Sequence, residues 1–242
     1  MNKIIEIKDL VKRYDSKVVL DSISFAVHKG NFISIIGPNG CGKSTLINII
    51  CGLDEPTSGK IEKIRGLKIG FVFQDYKESL LPWRNVYDNL RLPLEFSKEL
   101  DSEKVDGLIG ELKLDPHKNK FPHQLSGGLA QLAAIARALV IEPDILILDE
   151  PFKSLDFDVA QHIMQLVLNY CEKNHITTIL ISHDLDQAVL FADRIIILSK
   201  SPTKIKNILE VALPRPRKIS LYQEEAFLNE RKRIIRVFQD EN

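Results

Sequence analysis

The sequence predicts an α/β fold in which parallel strands alternate with helices. Short runs rich in β-branched residues alternate with longer stretches of helical periodicity along the 242 residues. The later runs are apolar throughout, which is typical of parallel strands covered on both faces. A glycine-rich stretch, GPNGCGKST, joins one apolar run to a helical pattern. This strand–loop–helix arrangement is a recurrent unit of α/β folds.

Each element is expected where its own residue pattern is clearest. Strands are predicted, in chain order, at residues 4–7, 24–27, 31–36, 67–73, 145–148, 177–181 and 195–198. Helices are predicted where apolar residues recur every three or four positions, as they do at Val105, Leu108, Ile109 and Leu112. In chain order the helices are 43–52, 102–114, 128–140, 155–174, 186–191 and a charged tail helix, 222–238, expected to be solvated on one side.

The chain is expected to form a single domain over residues 1–242, because the stretch after LPRPR is too short for another one. Residues 1–74 and 141–213 would form the α/β core, residues 75–140 a helical subdomain inserted into it, and residues 214–242 the tail. No apolar run approaches the roughly 18 residues that span a bilayer. The N-terminus lacks the layout of a signal peptide. Any membrane role is therefore expected to come through partners.

Composition argues for an ordinary soluble protein and against a nucleic-acid binder. Hydrophobic residues make up 44% of the chain, and 33 basic residues balance 33 acidic ones. Nucleic-acid-binding proteins usually carry a basic excess. The three cysteines have no metal-ligand spacing and indicate a reducing compartment. Cys51 and Cys171 are expected to fill helix faces.

The stretch from Gly37 to Ser44 fits the pattern G-x-x-x-x-G-K-[ST] in the strand–loop–helix context that the pattern requires. Its glycines let the backbone wrap phosphates, Lys43 reaches the β- and γ-phosphates, and the Ser44 hydroxyl binds Mg²⁺. Cys41 lies inside this loop, near Lys43 and a helix N-terminus, which should favour its thiolate. We therefore expect thiol reagents to inhibit the protein and bound ATP to protect it.

A second glycine turn opens a helix in HQLSGGLAQLAAIARAL, residues 123–139. Backbone N–H groups at such a turn point at something negative. The alternative is that Ser126 is only an N-cap, and that Gly127 and Gly128 merely start the helix. The sequence thus carries two anion-binding turns, and one phosphate loop would already serve one nucleotide.

Four polar residues follow apolar strands. Asp149 and Glu150 end ILILDE, where an Asp holds Mg²⁺ in P-loop enzymes and a Glu can accept a proton from water. Such an ending is as often structural when it stands alone, and the phosphate loop favours the functional interpretation. Gln74 and His183 are unremarkable by themselves. They could contact a γ-phosphate only if their strands are neighbours.

Together these residues resemble the ATP-binding subunit of an ABC transporter, over nearly the whole chain and in the same order. By this resemblance Tyr14 stacks on adenine, Gln74 belongs to the Q-loop, LSGG is the signature motif, Asp156 belongs to the D-loop and His183 is the switch histidine. The residues implied to bind nucleotide are Tyr14, Gly37, Pro38, Asn39, Gly40, Cys41, Gly42, Lys43, Ser44, Thr45, Ser126, Gly127, Gly128 and Asp156. Those implied in catalysis are Lys43, Gln74, Glu150 and His183, and those implied to hold Mg²⁺ are Ser44, Gln74 and Asp149.

The resemblance implies a P-loop NTPase (RecA-like) core with an N-terminal antiparallel β subdomain and an inserted α-helical subdomain. It also implies a head-to-tail dimer, in which each LSGG turn closes on ATP held by the other copy's phosphate loop. ATP hydrolysis would then open the dimer and drive transmembrane permease subunits, with a solute-binding protein as an indirect partner and no nucleic acid. The chain would be peripheral, on the cytoplasmic face of the membrane.

Four further segments of the sequence resemble those of nitrate/sulfonate/taurine-type import ATPases. They are SLLPWRNVYDNL (79–90), EPF, SHDLDQAVLFADRI and the run ending in LPRPR. Trp83, the one tryptophan, either lines the groove for the permease's coupling helix or packs inside the helical lobe. An exporter ATPase and a nucleotide-gated non-transport module remain as alternatives, and the transported substrate stays open.

The sequence departs from the family's usual pattern at two places. Leu129, Ala130 and Leu132 follow the signature glycines, and they could lower turnover. Lys153 and Ser154 replace small residues before the D-loop. The packing of the D-loop is therefore left open.

Overall fold

In the computed structural model, which describes residues 2–74, 79–97 and 101–240, the chain divides into two units. Unit 1 comprises Met1–Leu67 and His175–Asn242, and unit 2 comprises Lys68–Asn174. The predicted mixture of strands and helices is confirmed. The predicted subdomain boundaries remain a prediction.

Unit 1 begins with a three-stranded antiparallel sheet. Its strands are β1 (Lys3–Tyr14), β2 (Lys17–His28) and β4 (Ser58–Lys63), in the order β2-β1-β4. Strands β1 and β2 are longer than predicted. The two strands pair along their full lengths, including the segments in which polar and apolar residues alternate. The sequence did not predict β4, whose residues SGKIEK are exposed or half-buried at the sheet edge.

A second sheet of unit 1 carries the phosphate loop. Strands β7 (Thr177–Ile181), β3 (Phe32–Ile36) and β8 (Arg194–Leu198) are parallel neighbours in that order. Strand β9 (Ile205–Glu210) pairs with β8 in the antiparallel sense. Every residue of β3 and β7 is buried, as expected for strands covered on both faces. The half-buried edge strand β9 was not predicted.

Unit 1 has three helices: α1 (Lys43–Cys51), α6 (Leu185–Phe191) and α7 (Glu225–Asp240). A 3₁₀ turn, Ile219–Gln223, precedes α7, so the predicted tail helix begins three residues late. The tail is anchored as well as solvated, because Phe227 and Ile234 are buried. Arg217 of the LPRPR run is 1% exposed and donates hydrogen bonds to the carbonyls of Ala192 and Leu213.

Unit 2 pairs β5 (Ile69–Val72) with β6 (Ile145–Asp149) in the parallel sense. Its helices are α2 (Val86–Ser97), α3 (Ser102–Glu111), α4 (Gly127–Leu139) and α5 (Phe157–Lys173). Described residues between 79 and 140 form helices and turns, two of them the 3₁₀ turns Asp115–His117 and Pro122–Gln124.

Helix α2 was not predicted, since Pro93 lies within it and interrupts the helical pattern. The buried amide of Asn89 in α2 closes the preceding turn, where its Nδ2 donates to the carbonyl oxygens of Leu81 (3.1 Å) and Arg84 (2.9 Å). Within the described ranges, no helix of either unit is long and apolar enough to cross a membrane.

Candidate functional site

The phosphate loop joins β3 to α1 and leaves no room for side chains at two of its glycines. A Cβ at Gly37 would lie 2.9 Å from the Leu198 Cβ, and one at Gly42 would lie 2.9 Å from the Val19 Cγ1. Gly42 also has φ 103°, a left-handed conformation that glycine adopts without strain. The backbone can therefore curl into the tight cradle that phosphate oxygens require.

The Lys43 side chain lies over this loop. It is 7% exposed, and its Nζ donates to the carbonyl oxygens of Gly37 and Pro38, each at 3.0 Å. Gly42 has no side chain with which to cap α1, and the first turn of α1 holds no acidic residue. The N–H groups and positive dipole end of α1 are thus available to an anion. This cradle fits a nucleotide triphosphate, with Asn39, Gly40 and the Ser44 hydroxyl at its surface.

The prediction that Cys41 favours its thiolate is wrong. The side chain is 1% exposed, and burial raises the pKa of the Cys41 thiol more than the nearby Lys43 ammonium lowers it. The Thr203 hydroxyl donates to the Cys41 carbonyl oxygen, which anchors the loop from behind. Cys41 therefore serves this loop through its backbone, and the expected inhibition by thiol reagents loses its basis. Cys171 is buried in α5 and Cys51 is half-buried in α1, as helix-face residues.

Tyr14 ends β1 with 47% of its surface exposed. Its hydroxyl donates to Asp54 Oδ2 at 2.7 Å, and the Lys12 Nζ lies 4.8 Å from its ring centroid. Lys12 also pairs with Asp54 Oδ1 at 2.5 Å, and with the Tyr14 hydroxyl it lowers the pKa of Asp54 to about 2. The hydrogen bond to Asp54 raises the pKa of Tyr14. Sequence reasoning missed Lys12 and Asp54, because they are 42 positions apart and match no motif.

His183 follows β7, and β7 pairs with β3. Parallel neighbours end at the same sheet edge, so unit 1 brings His183 to the edge where the phosphate loop begins. The exposed His183 precedes α6, which Asp184 caps by accepting from the N–H groups of Asp186 (2.8 Å) and Gln187 (3.3 Å). For His183, the condition that its strand neighbours another strand of the site is met, because β7 pairs with β3.

Unit 2 also places polar residues at the carboxyl ends of paired parallel strands. These residues are Gln74, Asp149 and Glu150. Gln74 follows β5, Asp149 ends β6, and these two strands are paired. Glu150 is 8% exposed and has φ 45°, an uncommon and strained conformation for a residue with a Cβ. Its Oε2 lies 2.6 Å from the Lys153 Nζ. A strained residue held at the carboxyl edge of parallel strands is typical of functional sites.

The LSGG turn opens α4. Ser126 is the exposed N-cap, and its Oγ accepts from the Leu129 N–H at 3.4 Å. A Cβ at Gly128 would lie 2.3 Å from the Val159 Cγ1, so α4 begins directly against the start of α5, whose N-cap is Asp156. Unit 2 therefore brings the LSGG turn and the D-loop together.

Two of the three departures after LSGG are buried side chains of α4. Ala130 is 5% exposed and Leu132 is 3% exposed, and Leu129 is half-buried. Apolar residues at these positions are therefore compatible with the packing of the helix that carries the turn.

Unit 2 also contains a groove of about 340 Å³. Its lining residues are Leu80, Pro82, Pro122, His123, Leu125, Gly127 and Ala130. Trp83, next to Pro82, is 71% exposed. The alternative that Trp83 packs inside the helical lobe is therefore wrong.

The fold and the phosphate loop define the class: a P-loop protein that binds a nucleoside triphosphate. Residues 20–153 match a family model described as ABC transporter. The chain belongs to the ABC transporter family, as one of its ATP-binding subunits, and it is an ATPase.

Relatives cover nearly the whole chain. An aliphatic sulfonates import ATP-binding protein of Bacillus cereus is 38% identical, covering 95% of this chain and 94% of its own length. The bicarbonate transport ATP-binding protein of Synechococcus elongatus is 40% identical over 90% of this chain and 36% of its own length.

Solved structures show the same fold. A post-hydrolysis dimer of the ATP-binding cassette MJ0796 bound to ADP and Pi has a TM-score of 0.75 and 31% identity, covering 87% of this chain and all of that one. The cbiO1 protein of Clostridium perfringens, part of an ABC transporter complex, has a TM-score of 0.80 and 26% identity over 99% of this chain and 98% of its own.

Proposed function

We propose that this chain hydrolyses ATP to energise uptake of a small anionic solute, a sulfonate or bicarbonate, through an ABC importer. The observation that carries the proposal is the 38% identity to a sulfonate import ATPase over 94% of that protein's length. The chain would act at the cytoplasmic face of the membrane, bound to permease subunits. A solute-binding protein would deliver the solute to those permease subunits. The proposal includes no nucleic-acid partner, in keeping with the balance of 33 basic and 33 acidic residues.

In this proposal unit 1 binds the nucleotide. The exposed ring of Tyr14 stacks on adenine, and Lys12 and Asp54 hold that ring in place. The phosphate loop and its Thr45 hold the phosphates, with the Lys43 ammonium moving from loop carbonyls to phosphate oxygens. A charged donor that exchanges one set of oxygens for another loses few hydrogen bonds when the ligand arrives.

Magnesium is assigned to oxygen ligands, which it prefers. They are the Ser44 hydroxyl, the Gln74 amide oxygen and the Asp149 carboxylate. The ion would neutralise charge that develops on the phosphates. Glu150 accepts a proton from the attacking water, and His183 stabilises the transferring phosphoryl group.

The LSGG turn is proposed to serve ATP held by a second copy of the chain. Ser126 and the amides of Gly127 and Gly128 would contact the γ-phosphate of that copy, and Asp156 would lie at the seam. This assignment gives each of the two anion-binding turns a role. ATP favours the closed pair because it contacts both copies only in that state.

The groove of unit 2 is proposed to receive a segment of the permease. Its walls are mostly apolar, with Leu80, Pro82 and Leu125 among them. Trp83, which follows the lining residue Pro82 in sequence, is exposed, and tryptophan is enriched at interface hot spots. The groove also includes Gly127, so a segment bound there would contact the LSGG turn itself.

Uptake by cells tests the importer proposal. Cells that lack this chain should lose uptake of labelled taurine or bicarbonate, and wild-type protein should restore it while Glu150→Gln does not. Trp83→Ala should fail to restore uptake although the purified variant keeps its ATPase activity. Unchanged uptake of sulfonate, taurine, nitrate and bicarbonate in cells without the chain would contradict the importer proposal.

Light-scattering mass tests the paired site. Glu150→Gln should remain ATP-bound and shift from monomer to dimer on addition of Mg-ATP, because it lacks the proton acceptor. Ser126→Arg in the same background should abolish the shift. A monomer throughout would contradict the paired site for the chain alone.

A further inference from the structure

The catalytic glutamate shares a tight turn with a lysine. The Lys153 N–H donates to the Glu150 carbonyl oxygen at 3.3 Å, and Pro151 occupies the second position of the turn, which proline favours. Pro151 and Phe152 are buried, Phe152 with 2% of its surface exposed. The backbone therefore fixes Lys153 on the same side as Glu150.

The two side chains form an ion pair in this turn. The Lys153 Nζ lies 2.6 Å from Glu150 Oε2, well within ion-pair distance. The Glu150 side chain is 7% exposed and the Lys153 side chain is 41% exposed, so solvent screens only the lysine end well.

We propose that Lys153 restrains the proton acceptor Glu150 and thereby slows ATP hydrolysis. A carboxylate oxygen held against an ammonium must leave that ion pair before it can meet the attacking water, so the pair restrains the position of the Glu150 side chain. Lys153 acts in this role through Glu150, so it is a positioning residue. The inference rests on the proposed role of Glu150, and it does not depend on the transported solute.

Steady-state ATPase kinetics of the purified full chain test the restraint. Lys153→Met keeps the length of the side chain and removes the charge, and kcat should rise about fivefold, the factor that corresponds to an ion pair of about 1 kcal/mol. KM for ATP should stay within about twofold, because Lys153 acts on the chemical step and not on ATP binding. Lys153→Arg should retain the wild-type rate, since an arginine also pairs with a carboxylate.

Two controls separate this effect from a general change. Lys173→Met removes a lysine that pairs with Glu111 at 3.1 Å on the same unit, and it should leave kcat unchanged. In a Glu150→Gln background, Lys153→Met should have no effect on the residual rate, because the group it restrains is gone.

The outcomes separate the inference from the function on which it rests. An unchanged or lower kcat for Lys153→Met, or the same rise in the Glu150→Gln background, would overturn the restraint and leave the importer ATPase proposal intact. Wild-type turnover by Glu150→Gln would refute the role of Glu150 and the restraint together. The expected kinetic pattern with no loss of uptake in cells would uphold the restraint and refute the importer proposal.

Discussion

The phosphate loop and the LSGG turn are both glycine-rich starts of helices, and the structure holds them differently. In the phosphate loop the Lys43 ammonium binds two loop carbonyls, and the Thr203 hydroxyl anchors a third. In the LSGG turn the exposed Ser126 caps its own helix through the Leu129 N–H. The phosphate loop is thus held by hydrogen bonds from two side chains, and the N-cap of its helix, Gly42, has no side chain.

This difference fits the two separate roles that the proposed function gives to these turns. The phosphate loop has a buried cation and amides that no N-cap side chain occupies, so it can bind a triphosphate by itself. The LSGG turn has Ser126 at its N-cap, and one of its amides, the Leu129 N–H, already bonds to that serine. In the proposed function it would add a few contacts to a phosphate held by a second copy.

The largest expected effect separates the two turns by nucleotide affinity. Lys43→Met should weaken ATP binding by at least about 100-fold, because it removes the one buried ammonium that can bind phosphate oxygens within the loop. Ser126→Arg should leave binding to the single chain unchanged. Isothermal titration, at a protein concentration where light scattering shows the chain to be a monomer, measures both. Equal losses in the two variants would mean that the turns do not differ as described.

A second effect concerns stability. Gly42→Ala combines left-handed strain with a Cβ 2.9 Å from Val19, and should lower the free energy of unfolding by about 3 kcal/mol. Gly40→Ala is the matched control, since φ is 73° there and nothing lies within 4 Å of the added Cβ. Its cost should be about 1 kcal/mol. Calorimetric Tm values compare them, and similar losses would show that the packing around Gly42 can give way.

Local motifs were predictable from the sequence, and long-range pairings were not. The phosphate loop, the Asp149–Glu150 strand end and the LSGG helix start depend on residues within a few positions of each other. The neighbour relation that brings His183 to the phosphate loop depends on strand order, which spacing does not contain. Lys12 and Asp54 were missed for the same reason. Strands β4 and β9 were missed because edge strands are not fully apolar.

The LSGG turn has its own steric test. Gly128→Ala places a Cβ 2.3 Å from the Val159 Cγ1, and Val159 must shift for the two to fit. We expect a loss of about 2 kcal/mol in the free energy of unfolding, within the range for overpacking. Val159→Ala should recover most of this loss in the double variant, because it removes the clashing methyl group. No recovery would mean that the backbone of the turn, and not Val159, limits the site.

The smallest effect tests whether the charge of Asp54 holds Tyr14, the residue that the proposed function places against adenine. The pKa of Asp54 is about 2 in the folded chain, held down by Lys12 first and by the Tyr14 hydroxyl second, against about 3.9 for an ordinary Asp. A depressed folded pKa stabilises the fold above pH 4, and that contribution disappears as the pH falls through 2. The Tm difference between wild type and Asp54→Asn should therefore be constant from pH 7 to about pH 4 and shrink below it. The exposed Asp15→Asn provides the control. A difference that stays constant down to pH 2 would show that Asp54 acts through the shape of its side chain, and that its charge does not hold Tyr14.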